Sequence, residues 1–242
     1  MESKDVEKRS GKLYLVPTPL GDCHLAGTMP PGNTYVIETV RHFVVEEIAT
    51  AKRFLARCGL KHIIDESNFY LLNEHTDSSV AADYVKVMLR GSDMALMSEA
   101  GLPAVADPGS MLVAQAHIHN LKVIPLVGPS SLMMALMASG LSGQNFAFNG
   151  YLPVKPQMRK ARLKELEQLS RKHHQSQIFI ETPYRNDSLF AAILESCASS
   201  TLLTIAADIT SPNEFIRTKS VGEWKRAGFT IGKRPCVFVL QG

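Results

Sequence analysis

Three loops, each directly after a short apolar run, hold residues able to bind a ligand or move a proton. They are Pro17-Thr18-Pro19-Leu20-Gly21-Asp22, then Ser98-Glu99-Ala100-Gly101-Leu102-Pro103 continuing to Asp107-Pro108-Gly109, then Gly128-Pro129-Ser130-Ser131. Glycine and proline let a ligand come close to backbone N–H and C=O groups, although singly they also punctuate ordinary turns. Three such loops at equivalent positions, each with Ser, Asp or Glu, point to a binding edge at the carboxyl ends of parallel strands. The sequence has no GxGxxG and no GxxxxGK[ST], so dinucleotide and nucleoside-triphosphate sites lack their usual support. The ligand suggested is uncharged at its nucleoside end and held largely by backbone. Glu46, Glu47, Glu99, Asp107 and Glu181 each stand near a strand end, where a carboxylate can act as general base. Each can equally be a helix cap, a salt-bridge partner or an acceptor for a loop N–H.

Metal chemistry has little support. Cys23, Cys58, Cys197 and Cys236 form no CxxC pair, and the histidines form no HExxH. His117 and His119, two apart on a helix, point to different faces, so no metal site is expected. Free or buried thiols are the expected state of the cysteines. With 45% apolar and 20% charged residues the composition is that of a soluble globular chain. No apolar run approaches the ~18 residues of a membrane span. Residues 1–11 are mostly polar and read as a short solvated tail rather than a secretory signal, so a cytoplasmic protein is expected.

Net charge is only +3, but its distribution is uneven. Between Tyr151 and His174 lie seven positive and two negative side chains. Lys155, Arg159 and Arg162 fall four and three apart, which predicts one helical face able to track phosphates. Leu163, Leu166 and Leu169 are expected to face the core. Tyr151, Tyr184 and Arg185 could stack on a base, as in RNA readers, or simply pack inside the protein.

The elements that position these residues follow a βα alternation. Strands are predicted at 13–16, 43–45, 69–72, 94–97 and 122–127. Helices are predicted at 31–41, 48–58, 77–90, 108–120 and 130–139. This implies an N-terminal α/β domain, 12–127, with a mainly parallel sheet. In the C-terminal α/β domain, 128–242, strands are predicted at 146–148, 178–180, 202–207, 215–221 and 236–240. Helices at 156–171 and 186–197 complete it, and strands predominate enough to imply a mixed sheet.

The loops resemble those of the tetrapyrrole (corrin/porphyrin) methylase family, most closely its branch that methylates ribosomal RNA. The resemblance runs from Gly11-Lys12-Leu13-Tyr14-Leu15-Val16-Pro17-Thr18-Pro19-Leu20-Gly21 to the last strand. Its most specific block is Ala95-Leu96-Met97-Ser98-Glu99-Ala100-Gly101-Leu102-Pro103 with Ala106-Asp107-Pro108-Gly109. Val123-Ile124-Pro125-Leu126-Val127-Gly128-Pro129-Ser130-Ser131, Phe148-Asn149-Gly150-Tyr151-Leu152-Pro153 and Glu181-Thr182-Pro183-Tyr184-Arg185 follow in order. The resemblance implies two α/β domains with a cofactor cleft between them, S-adenosylmethionine as methyl donor, and a homodimer. It implies donor contacts at Pro17, Glu99, Ala100, Gly101, Ser130, Ser131, Tyr151 and Leu152, and further ones at Ala207 and Pro235. The basic helix and the aromatic residues read above supply the substrate-side candidates Lys155, Arg159, Arg162, Tyr184 and Arg185.

The chain departs from that branch in three places. An Ala-Glu-Asp-Thr-Arg run is here Val45-Glu46-Glu47-Ile48-Ala49, Asp-Ala-Gly-Thr-Pro is Glu99-Ala100-Gly101-Leu102-Pro103, and Arg-Glu-Leu-Thr-Lys is Ala207-Asp208-Ile209-Thr210-Ser211 with Glu214 kept. Three functions stay open at this point: 2'-O-ribose methylation of small-subunit ribosomal RNA, methylation of a tetrapyrrole or other small molecule, and non-catalytic donor binding.

Overall fold

The computed structural model describes residues 10–242. Most of the predicted tail lies outside these residues; Ser10 and Gly11 lie within them, and Gly11 is buried. Residues 10–19 and Cys23–Pro129 form one unit, and Leu20–Asp22 with Ser130–Gly242 form a second.

In the first unit the order is β1 Lys12–Val16, α1 Leu25–Thr28, α2 Pro31–Thr39, β2 His42–Val45, α3 Ile48–Arg57, β3 Asn68–Leu71, α4 Ser78–Leu89, β4 Met94–Met97, α5 Ser110–Ile118 and β5 Lys122–Pro125. The strands pair in the order β3-β2-β4-β1-β5, all parallel. Central β4 is buried on both faces, because side chains alternate along a strand and helices cover each side. Ala95 and Met97 pack with Phe43, Phe54 and Leu55. Met94 and Leu96 pack with Val85, Met88, Leu112 and Ala116.

The second unit runs α6 Ser131–Ser139, β6 Phe146–Tyr151, α7 Pro156–His173, β7 Ser176–Glu181, α8 Asn186–Ser196, β8 Leu202–Ala207, β9 Phe215–Ser220, α9 Val221–Ala227 and β10 Cys236–Gln241. Its sheet order is β6-β7-β10-β8-β9. Only β6 and β7 pair in parallel; β10 is antiparallel to β7 and β8, and β8 to β9. The mixed sheet again separates two cores. Ile178, Ala206, Val237 and Val239 meet α6. Phe179, Leu203, Ile205 and Phe238 meet the apolar faces of α7, α8 and α9.

Some predicted boundaries move, for local reasons. The helix expected from Pro108 starts at Ser110, because the Asp107 carboxylate holds the Gly109 N–H at 2.8 Å and keeps the loop going. The strand expected to reach Val221 stops at Ser220, which opens the unpredicted α9 through a capping box with Glu223. That signature, Ser followed three residues later by Glu, was present in the sequence. Trp224 on α9 is buried and donates from Nε1 to the Leu203 carbonyl at 2.9 Å.

Gly11 enters β1 against the chain at Ser92, where an added Cβ would lie 1.9 Å from a backbone oxygen. Gly11→Ala is therefore expected to cost about 1–3 kcal/mol. Gly143→Ala, where nothing lies within 4 Å, should be neutral or slightly stabilising. Thermal melts of the two variants check this contrast, and equal midpoints would contradict it.

Candidate functional site

Parallel pairing sends every strand of the first sheet out along one edge, and there neighbouring loops are joined directly. The loop after β1 and the loop after β4 form a two-residue bridge. Thr18 N–H donates to Gly101 O at 2.9 Å, and Gly101 N–H to Thr18 O at 3.1 Å. Thr18 Oγ1 adds a bond to the Ser98 carbonyl at 3.1 Å, and Ser98 Oγ one to the Gly101 carbonyl at 3.2 Å. Gly101 sits at φ 79°, a conformation that glycine adopts without penalty. The loop after β5 closes on the same place. A Cβ on Gly128 would lie 2.2 Å from the Pro17 ring, and buried Asn33 fixes the Val127 carbonyl at 2.8 Å. Pro17, Gly101 and Gly128 thus bring three distant stretches of chain together.

Carboxylates gather on this edge. Glu46, after β2, is half-buried and accepts the Glu99 N–H at 3.2 Å. Burial raises its pKa, the Glu99 N–H opposes the rise, and Asp107, Glu99 and Glu74 add to it. Asp107 is raised too, by burial, against the pull of two N–H donors, Gly109 and Ala104, both at 2.8 Å. For both groups the folded state favours the protonated form over the ionised one. Their stabilising contribution is therefore full below the ordinary carboxylate range and is lost as pH rises through the elevated values. Glu99 and Ala100 are exposed at the loop tip. Beyond them Ala104 and Ala106 adopt φ of 64° and 59°, costing about 1–2 kcal/mol each for non-glycine residues. Backbone held in such conformations collects at ligand sites.

The second unit has a corresponding edge. Antiparallel β10 begins where β7 and β8 end, so Cys236 lies across from both Glu181 and Ala207. The Asp208 N–H donates to the Pro235 carbonyl at 3.0 Å, which joins the predicted contacts Ala207 and Pro235. Tyr151 ends neighbouring β6 and is 56% exposed. Leu152 packs into the core, which leaves its backbone as the part able to meet a ligand. Ser130 caps α6 through the Met133 N–H at 3.4 Å, and Ser131 opens that helix.

Several predicted residues have other work. Arg159 is only 6% exposed and bonds Ser188 Oγ at 3.0 Å. It shares the inward stripe of Leu163, Leu166 and Ser170, so the expected row of phosphate-tracking cations does not form. Arg162 is half-buried and bonds Asn149 at 3.0 Å and Glu165 at 2.7 Å; Lys155 is exposed. Leu169 is partly exposed rather than in the core. Glu181 is held in an ion pair: Oε1 of its wholly buried side chain accepts from Thr182 N–H and from Arg185 Nε and a terminal nitrogen, at 2.7, 2.9 and 2.6 Å, and buried Oε2 has no partner. The same ion pair holds the Arg185 guanidinium edge, while Tyr184 stays 80% exposed. Glu47 caps α3 through the Ala49 N–H at 2.9 Å.

Sequence reasoning missed the Thr18–Gly101 bridge, the strained alanines, the Asp208–Arg234 ion pair at 2.6 Å, and Lys233, whose ammonium lies 5.2 Å from the Tyr184 ring centre. The threonine inside Pro-Thr-Pro was the one available hint. The others are contacts between residues far apart in the chain.

Known proteins agree with this geometry. No family model matches the chain. The chain is 32% identical to ribosomal RNA small subunit methyltransferase I of Vibrio cholerae over 222 residues, which is 92% of this chain and 73% of that protein. It is 30% identical to the protein of that name from Xylella fastidiosa, covering 83% and 69%. For the Escherichia coli O157:H7 protein the identity is 27%, covering 100% and 81%. Among solved structures, the methyltransferase CobJ superposes with a TM-score of 0.66 at 15% identity, covering 96% and 95%. Uroporphyrin-III C-methyltransferase from Thermus thermophilus, solved with S-adenosyl homocysteine, gives 0.54 at 13%, covering 96% and 97%. These likenesses fix the fold as that of the tetrapyrrole methylases. The loops joined at Thr18, Gly101 and Gly128 lie within the matched sequence, and with relatives at this identity and coverage the chain belongs to the ribosomal RNA small subunit methyltransferase I family.

Proposed function

We propose that this chain transfers a methyl group from S-adenosylmethionine to a ribose hydroxyl of small-subunit ribosomal RNA. The observation that carries the reading is the first unit's edge, where three joined loops lie beside Glu46, Glu99 and Asp107. Loops 17–19, 46–47, 98–109 and 126–129 contain no Lys, Arg or His. Such an edge suits a ligand with a cationic sulfur and a nucleoside, and it disfavours a polyphosphate. Pro17, Glu99, Ala100 and Gly101 are the first-unit contacts in this reading. Ser130, Ser131, Tyr151, Leu152, Ala207 and Pro235 are those of the second unit. The macrocycle alternative has only fold-level likeness behind it, at 13–17% identity.

When bound, the donor supplies a methyl group on a positively charged sulfur that departs as a neutral thioether. The protein must align the acceptor, exclude water and remove one proton. Holding reactants in near-attack geometry can supply roughly 7–11 kcal/mol. A ribose hydroxyl is a weak nucleophile until it loses its proton, and Glu46 fits that task best. Glu47 and Glu181 are occupied by a cap and an ion pair, and Asp107 by two loop N–H groups. Glu46 accepts one backbone bond, at 3.2 Å, and its burial makes it a stronger base than a solvated carboxylate. Asp107 acts as a positioning residue for the strained loop. The family resemblance also implies a homodimer, which light scattering tests. Among the described residues no helix is long and apolar enough to cross a membrane, and we place the activity in the cytoplasm, with its RNA.

The reading is tested with tritiated donor on small ribosomal subunits from a strain lacking the enzyme. Label on ribose is expected, and unlabelled RNA overturns it. Glu46→Gln should lower kcat roughly 10²–10⁴-fold with donor affinity held within a few-fold. The wild-type kcat should fall on acidification at a pH above the ordinary carboxylate range, because the base must be ionised to work. This limb should vanish in Glu46→Gln; a retained limb would remove Glu46 from the mechanism. Asp107→Ala frees two loop N–H groups and should weaken S-adenosylhomocysteine about tenfold by calorimetry. Unchanged affinity would separate the loop from donor binding.

A further inference from the structure

Tyr184 is an exposed aromatic on a turn braced by an ion pair. It lies in the short 3-10 turn Pro183–Arg185. Glu181 clamps that turn from below, with its side chain wholly buried and three donors on one oxygen. A buried ion pair is costly to desolvate, and here it fixes three residues that present a tyrosine ring to solvent. Lys233 places its ammonium 5.2 Å from the centre of that ring. The backbone around Lys233 is pinned as well. Asp187 accepts the Gly232 N–H at 3.2 Å, and Arg234 is tied to Asp208 and to the Asn213 carbonyl, both at 2.6 Å.

The charge pattern here differs from that of the first unit's edge. Acidic groups nearby are engaged: Glu181 with Arg185, Asp208 with Arg234, Asp187 with the Ile231 and Gly232 N–H groups, and Glu214 with the Thr210 N–H. Among the described residues neither Lys233 nor exposed Lys155 has a carboxylate within ion-pair distance. An exposed tyrosine ring on preset backbone, with an ammonium over it that no carboxylate pairs, offers a stacking face with a phosphate contact beside it, the combination that holds unstacked nucleotides.

We propose that Tyr184 stacks on an unpaired base of the RNA substrate while Lys233 contacts an adjoining phosphate. This rests on the RNA reading above, and it makes the turn a specificity element for single-stranded RNA.

The test is equilibrium binding of full-length protein to labelled single-stranded oligonucleotides of small-subunit ribosomal RNA, and to the same sequences annealed as duplex. Wild type should prefer the single strand. Tyr184→Ala should weaken it about fivefold or more, and Tyr184→Phe should bind within about twofold of wild type because the ring remains. Lys233→Ala should reduce the slope of log affinity against log salt by about 0.7, one phosphate contact on a single strand. Melting points of all three variants should match wild type, since both side chains project from the surface. Wild-type affinity in Tyr184→Ala, or a loss in Tyr184→Phe equal to that in Tyr184→Ala, overturns the platform alone. Absence of RNA binding by wild type overturns both the platform and the RNA reading.

Discussion

Parallel pairing of the five strands in the first sheet is the constraint on which the site depends. Once β1, β2, β4 and β5 run the same way, their carboxyl ends share one edge, whatever the distance between them in the chain. The Thr18–Gly101 bridge then converts nearness into a fixed geometry. It joins residues more than eighty positions apart by two backbone hydrogen bonds, and the close contact of Gly128 with Pro17 adds the third loop. The buried β4 is what makes this edge rigid. With helices on both faces, a register slip would turn its apolar side chains against their packing partners.

Burial explains how one edge can be both a binding surface and a source of chemistry. Glu46 and Asp107 are drawn partly out of water, and burial is the leading reason that both hold their protons more tightly than solvated carboxylates do. Only Asp107 is steadied by two N–H donors. Two neighbouring acids are therefore suited to different work, one to hold a strained loop and the other to accept a proton. The second unit's edge differs in character. Its acids are engaged by arginines and backbone N–H groups, although Oε2 of buried Glu181 has no partner, and tyrosine rings and a lysine face the solvent.

The βα alternation was legible because short apolar runs bounded by Gly and Pro report buried strands directly, and β4 was located to the residue. The three loops were legible because each follows such a run. Contacts made by tertiary packing were not: nothing local announces that Thr18 meets Gly101, or that Ala104 and Ala106 turn left-handed. Arg159 was misread for a different reason. Helical spacing places it with Lys155 and Arg162, but four and seven residues on come Leu163 and Leu166, and the apolar stripe claimed the arginine for the interior. Glu181 and Arg185 stand as separate functional candidates in the sequence although they form an ion pair with each other. In α9 the capping box at Ser220 and Glu223 was visible but was absorbed into the preceding strand.

The most direct test of the account is amide hydrogen exchange with and without S-adenosylhomocysteine. Slowed exchange is expected at Thr18, Gly101, Ala104 and Gly109, the amides that join or brace the loops of the first sheet's carboxyl edge. Protection confined to the opposite, amino-terminal edge of that sheet, around Gly11, Arg41 and Asp93, would contradict it.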